Sequence, residues 1–178
     1  MLQRPPTSRL VPYTSLFRSD ELRKEVTWLV DTSDLSPHEL RARVFSFFSD
    51  YAPPPLRVHL TSFGFAKGLP LNADMVVDAR FLPNPYFEPG LSDLLGTDPP
   101  VRAFLENRTE VGDFVDKLAD LVLYLLPRYR SEGKAYFTLA VGCTGGRHRS
   151  VYVVEALGRR LQDAGYEPRI GHRDSLVT

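Results

Sequence analysis

"KAYFTLAVGCTGGRHRSVYVVEALGRRLQDAG", residues 134–165, is the stretch on which the fold turns. Its first ten residues are apolar enough for a buried strand, and they run straight into a glycine-containing turn. From about His148 the apolar side chains Val151, Val154, Leu157 and Leu161 recur at helical spacing, with Gly165 as the expected C-cap. A strand that hands a glycine turn to a helix N-terminus makes an anion site, because the turn's N–H groups converge and the helix dipole adds partial positive charge. Gly145 and Gly146 let the backbone approach an anion without a Cβ in the way. Arg147 and Arg149 offer charge-assisted hydrogen bonds, and Thr144 and Ser150 offer hydroxyls. His148 either meets a phosphate or caps the helix.

The same turn admits a second reading. Cys143 and Arg149 have the C-x5-R spacing of cysteine-dependent phosphatases, in which a thiolate attacks phosphorus and the arginine clamps its oxygens. Against it, Gly142 stands where that group has a histidine, and Asp74, Asp78 and Asp98 qualify as general acids by residue type alone. The plainer alternative makes Cys143 a small buried apolar side chain at the end of its strand.

Working outward, strand and helix patterns alternate. "LRVHLTSFGF" (56–65) and "ADMVVDARF" (73–81) have strand composition, with the short loop "AKGLP" between them. Two helices are predicted over 99–107 and 110–132, and a last edge strand over 167–174. Upstream, "EVTWLVDTSD" (25–34) reads as a buried strand. Ser36-Pro37-His38-Glu39 then forms a capping box ahead of an amphipathic helix marked by Leu40, Val44, Phe47 and Phe48. "APPP" (52–55) is the clearest linker. The expected class is α/β, with a mixed sheet and flanking helices.

Composition narrows the functions. Hydrophobic residues make up 43% and charged ones 25%, so a core is available, while 22 acidic and 22 basic residues leave no net charge. General attraction to nucleic acid or anionic membrane is therefore excluded, and a polyanion site must come from local clustering. The single cysteine excludes an internal disulfide and a multi-cysteine zinc site, and it fits a reducing cytoplasm. His38 and His59 lack ligand-like spacing, so neither a metal nor another cofactor is expected. The longest apolar run, "LADLVLYLLP", contains an aspartate and stops at Pro127, short of a membrane span.

Three long stretches, "DTSDLSPHELR" (31–41), "HLTSFGFAKGLPLNADMVVDARFLPNP" (59–85) and "GCTGGRHRSVYVVEAL" (142–157), closely resemble the RapZ (YvcJ-like) family of bacterial nucleotide-binding proteins and RNase adapters. The resemblance runs from about residue 20 to 174. It implies an N-terminal P-loop NTPase-like domain and a C-terminal domain that binds RNA and an amino-sugar phosphate and presents RNA to an endoribonuclease. On this basis residues 56–178 are expected to form the C-terminal domain and 20–51 the tail of the NTPase-like domain. Residues 1–19 are expected to be an unstructured or non-native start. The sequence contains no G-x4-G-K-[ST], since Gly133-Lys134 precedes Ala135, so ATPase or GTPase activity is not expected.

The resemblance also bears on single residues. Lys67 matches a family position linked to RNA contact, the alternative being a solvated turn lysine. Tyr86 stands where RNA-adapter members have a histidine after "LPNP", which departs from the phosphosugar-sensing pattern. The basic C-terminal tail of those members has no counterpart in "HRDSLVT". Asp78 and Arg80 form either an internal ion pair or part of the site. Asn84 either serves its own turn or offers an amide to a ligand. His172 and Arg173 add local positive charge. Expected partners are RNA or a sugar phosphate, an endoribonuclease and further copies of the chain.

Overall fold

A computed structural model describes residues 30–47 and 56–175. The chain divides into two compact units, Met1–Ala52 and Pro53–Thr178. Residues 1–29, on which most of the expected strand at 25–34 falls, lie outside the described residues, as do Phe48 and the "APPP" linker.

In the first unit, helix α1 spans Pro37–Phe47. The capping box closes reciprocally. The Ser36 amide donates to Glu39 Oε2 at 2.8 Å, and the Glu39 amide donates to Ser36 Oγ at 3.3 Å. Two otherwise orphaned N–H groups are thus satisfied at the helix start, an arrangement worth about 1 kcal/mol. Val44 and Phe45 on this helix are exposed.

The second unit is built on strands β1 (Arg57–Gly64), β2 (Met75–Asp78), β3 (Tyr136–Cys143) and β4 (Arg169–His172). Helices α2 (Pro99–Glu106), α3 (Thr109–Ser131) and α4 (Arg149–Asp163) connect them. The sheet order is β2-β3-β1-β4. The α/β class is as expected, but every pairing is parallel, where a mixed sheet was expected. The reason lies in residues 65–74. A ten-residue connection can span about 33 Å, enough for the chain to run back and set β2 against the far side of β3. The loop between β1 and β2 is therefore not a hairpin.

β2 is shorter than its sequence pattern, although the amides of Asp74 and Ala79 still donate to Thr138 and Gly142 carbonyls at its two ends. Asp78 Oδ1 accepts the Arg80 amide at 2.8 Å, which turns the chain away from the ladder.

Alternating residues of β1 and β3 face one core. Val58, Leu60, Phe137, Leu139 and Val141 pack with Val111, Val115, Val122 and Leu126 of α3 and with Val153, Val154, Leu157 and Leu161 of α4. A fully buried Leu or Val stabilises by about 1.5–3 kcal/mol, so this seam fixes α4 over the sheet and its N-terminus at the strands' carboxyl end. The other end of α4 closes with the Tyr166 and Gly165 amides on the Leu161 and Gln162 carbonyls, both at 2.9 Å.

Candidate functional site at the carboxyl end of the sheet

Gly64, Asp78, Cys143 and His172 end the parallel strands on one side, so the segments after them share one rim. In open α/β sheets this is the rim where ligands bind. The Thr144–His148 turn lies here, and two close approaches set its shape. Gly146 has φ 77°, and a Cβ there would lie 2.6 Å from the Gly64 nitrogen. A Cβ on Gly64 would lie 2.7 Å from the Gly145 carbonyl carbon. The turn thus rests on the end of β1 with no room for side chains between. The Ala66 amide adds a bond to the Thr144 carbonyl at 3.2 Å, which places the Phe65–Lys67 turn beside it.

Gly142 also has a steric reason. A Cβ there would sit 2.5 Å from both Phe63 Cζ and Phe65 Cε2, whose rings meet edge-on at 4.8 Å. No histidine fits at that position. Cys143 is buried, its sulfur accepting the Gly146 amide at 3.3 Å and lying 3.1 Å from Ser150 Oγ. The buried thiol therefore helps hold the turn closed.

The next three side chains all grip one segment, residues 80–96. Arg147 donates to the Asp93 carbonyl at 2.9 Å, and its own carbonyl accepts the Gly96 amide at 2.8 Å. His148 is buried against the backbone of residues 91–94. Burial pushes its imidazole below its ordinary pKa and Arg147 adds to this, while the carbonyls of Leu94, Leu91 and Ser92 pull the other way without reversing it. It stands as a neutral imidazole near pH 7, a poor cationic partner for phosphate.

Arg149 is 5% exposed and donates to the carbonyls of Arg80 and Leu82 and to Thr144 Oγ1. Its Nε has no hydrogen-bond partner. Those donors are committed to protein oxygens, which counts against the phosphorus-clamping role of the C-x5-R reading. Thr144, Gly145 and Arg147 are left as the exposed members of the turn.

Around this turn, Asp78 and Arg80 form a bidentate pair, 2.7 Å at its shortest, with Arg80 stacked 4.1 Å from the Phe65 ring centroid. The hydrogen bond from Arg80 holds the Asp78 carboxyl below its ordinary pKa. Asn84 accepts the Tyr86 amide at 3.3 Å and so serves its own turn, Pro85–Phe87. That leaves Tyr86 exposed, its ring edge-on to exposed Phe87 at 5.6 Å. Lys67 is exposed on its turn and close enough to Asp174 to help lower that carboxyl's pKa.

Sequence reasoning missed Asp174. Its side chain is 6% exposed, accepts the Gly64 amide at 2.7 Å and pairs with Arg173 at 2.8 Å. Arg173 also donates to the Gly64 and Gly68 carbonyls at 3.2 and 2.8 Å. His172 is half-buried, bridging Ser62 Oγ at 2.9 Å and Glu155 Oε1 at 3.0 Å. The sequence "HRDS" carries no motif for this bracing. Gly96, whose Cβ would strike the His148 carbonyl at 2.2 Å, was equally silent. Among the described residues no group of three or more His, Cys, Asp or Glu side chains could hold a metal ion, and no helix is long and apolar enough to cross a membrane.

Known proteins are similar to this chain over most of its length. A nucleotide-binding protein of Anaeromyxobacter sp. (strain K) is 48% identical over 146 residues, covering 82% of this chain and 50% of the relative. A nucleotide-binding protein of Bacillus cytotoxicus is 42% identical over 154 residues, covering 86% of this chain and 52% of the relative. The chain thus spans about half the length of the curated relatives it matches. Their shared name denotes binding and specifies no reaction. The family model for the RapZ C-terminal domain matches residues 56–176. That match covers the whole described sheet, the turn after β3 and the helices packed on the sheet, and the chain belongs to the RapZ family.

Proposed function

We propose that this chain binds phosphate-bearing ligands, an RNA backbone or an amino-sugar phosphate, at the carboxyl end of its sheet, and acts as an RNA-binding adapter without catalysis of its own. The observation that carries this reading is the Thr144–Gly146 turn, held against Gly64 and backed by the first turn of α4. The Gly146 amide is held by Cys143, and the exposed Thr144, Gly145 and Arg147 are the members of the turn that an anion can reach at the start of the helix. In this reading Thr144, Gly145 and Arg147 meet the phosphate, Lys67 approaches from the neighbouring turn, and Tyr86 borders the ligand. Arg149, His148, Ser150 and Cys143 support the turn from beneath.

With no net charge, a single copy binds RNA weakly and with strong salt dependence. Association of several copies raises affinity by bringing several turns to one RNA, and an endoribonuclease acting on the bound RNA is the expected downstream partner. The name of the relatives fits a nucleotide-binding domain in the longer proteins, for which this chain has no P-loop motif.

The test is filter binding of a small structured RNA, with glucosamine 6-phosphate as competitor, to the wild type and to Arg147→Ala and Lys67→Ala. Loss of affinity in the variants with unchanged melting temperature supports the site. Equal affinity in all three proteins overturns it.

A further inference from the structure

Helix α3 has two patterned faces. Val111, Val115, Leu118, Val122 and Leu126 bury the inner one in the core. On the outer side Glu110, Phe114, Lys117, Leu121, Tyr124 and Arg128 follow one another at alternating steps of four and three residues. That alternation is the seam of a helix that pairs with another helix, because a period of about 3.5 residues keeps one line of side chains turned toward the partner. Leu121 and Tyr124 on this line are 46% and 57% exposed, and Phe114 is half-buried. Phe81, also exposed, meets the Phe114 ring edge-on at 5.0 Å and widens the apolar patch at that end.

Charge is ordered along the same line. An acid, Glu110, stands at its start and a base, Arg128, at its end, with Lys117 and the neighbouring Asp120 near its middle. Among the described residues none of these four makes an ion pair. Arg128 is held locally instead. Its Nη1 donates to the Tyr124 carbonyl at 2.6 Å, and its guanidinium lies 3.5 Å from the Tyr124 ring centroid.

A second α3 laid antiparallel about position 119 matches this order residue for residue. Glu110 then comes opposite Arg128 of the second copy, and Phe114 opposite its Tyr124. Lys117 comes opposite its Leu121 and beside its Asp120. The two-fold axis repeats every contact, so an ion pair closes each end of the seam and the aromatic matches lie inside them. From Glu110 to Arg128 the seam is about 27 Å long at 1.5 Å per residue. A parallel pairing would set Glu110 against Glu110 and Lys117 against Lys117, which like charges oppose.

We propose that the outer face of α3 is an interface between two copies of this chain, their α3 helices antiparallel and centred on position 119. A foreign helix would have to reproduce the same sequence of acid, aromatic, base and apolar side chains, in reverse, to fit as well. The chain's own α3 already does so. One helix wide, the seam belongs at the small end of specific interfaces, so the dimer is reversible with a Kd of about 10 μM. None of the six seam residues belongs to the turn after β3 or to its supports, and the interface stands apart from the anion-site reading.

Sedimentation velocity of the full chain over about 1–200 μM tests the interface. The wild type is expected to pass from monomer to dimer within that range. Leu121→Asp, at an exposed position, is expected to weaken the dimer at least about tenfold while the melting temperature of the dilute protein stays unchanged. Glu110→Arg and Arg128→Glu each place like charges at both ends of the seam and are expected to weaken it by about tenfold. Combining the two changes in one chain restores acid opposite base, and dimerisation is expected to return to within about threefold of the wild type. Mixing the two single variants is expected to give a heterodimer tighter than either forms alone, since every end then joins acid to base. Arg147→Ala is expected to dimerise as the wild type does. The interface is overturned if the wild type stays monomeric at about 200 μM, or if Leu121→Asp dimerises as the wild type does. Its antiparallel register is overturned if the double variant is as weak as the single ones.

Discussion

The guanidinium of Arg149 lies against the backbone carbonyls of Arg80 and Leu82, 69 and 67 residues earlier in the chain, the second at 3.1 Å. A positive charge at the start of α4 is thereby removed from solvent and spent on fastening the segment that follows β2. Arg149→Ala would leave two inward carbonyls without these donors and a void in their place. The expected loss is about 2–4 kcal/mol, read by urea denaturation. Arg149→Lys is expected to recover only part of it, since one ammonium cannot reproduce the planar fork.

Arg147 differs from its neighbour in being exposed while bonded to a single carbonyl. Arg147→Ala should leave stability within about 0.5 kcal/mol of the wild type. RNA affinity should fall, and the slope of log affinity against log salt should shrink by about one. A combined filter-binding and thermal-melt series separates the two arginines, because only one should move each readout.

Gly142→Ala places a methyl where the Phe63 and Phe65 rings already lie at 2.5 Å. Both rings must move, and overpacking of this kind costs about 1–3 kcal/mol. The altered Phe65 position should also displace Arg80, which stacks on it. Denaturant titration checks the first effect, and the aromatic side-chain resonances of an NMR spectrum check the second.

Asp174 supplies an acid-sensitive brace. Burial alone would raise its pKa, but the Arg173 guanidinium, the Gly64 amide and the charge of Lys67 together hold it below its ordinary value of 3.8. A carboxyl lowered in the folded state stabilises fully above its unfolded pKa and loses that contribution as pH falls through the folded value. Asp174→Asn should therefore be less stable than the wild type at pH 7, with the difference closing below about pH 4. Thermal melts from pH 7 to pH 3 measure the closing gap.

His148 and His59 act in a higher window. Both are held below the ordinary value of 6.5, chiefly by burial, so the unfolded chain takes up their protons first. Stability should fall as pH drops below about 6.5 and level off beneath the folded pKa values. Comparing wild type with His148→Gln at pH 7.5 and 5.5 should show a smaller pH-dependent loss in the variant.

The elements legible from sequence were those whose signals are local. Ser36 and Glu39 marked a helix start that closes through their own side chains, and the spacing of Val151, Val154, Leu157 and Leu161 marked α4. The parallel direction of β2 was not legible, because a ten-residue connection serves a hairpin or a return run equally well. Nor was the fate of Arg149. A guanidinium beside a glycine turn reads as an anion ligand until the carbonyls of Arg80 and Leu82 are brought to it by tertiary packing. Asp174 was invisible for the same reason, since its partners Gly64 and Arg173 meet only when β4 docks on β1.

The grip of residues 147–149 on the 80–96 segment has a consequence for how this chain can vary in length. Arg147 and His148 meet residues 91–94 of that segment while Arg149 meets Arg80 and Leu82, so a one-residue insertion or deletion between Gly146 and Arg149 would throw these contacts out of step with one another. The connection from Gly68 to Asp74, whose Leu69 and Leu71 side chains are exposed, has no such phase to keep. Length differences among functional variants should therefore gather in that outer connection and stay out of the four residues from Gly146 to Arg149.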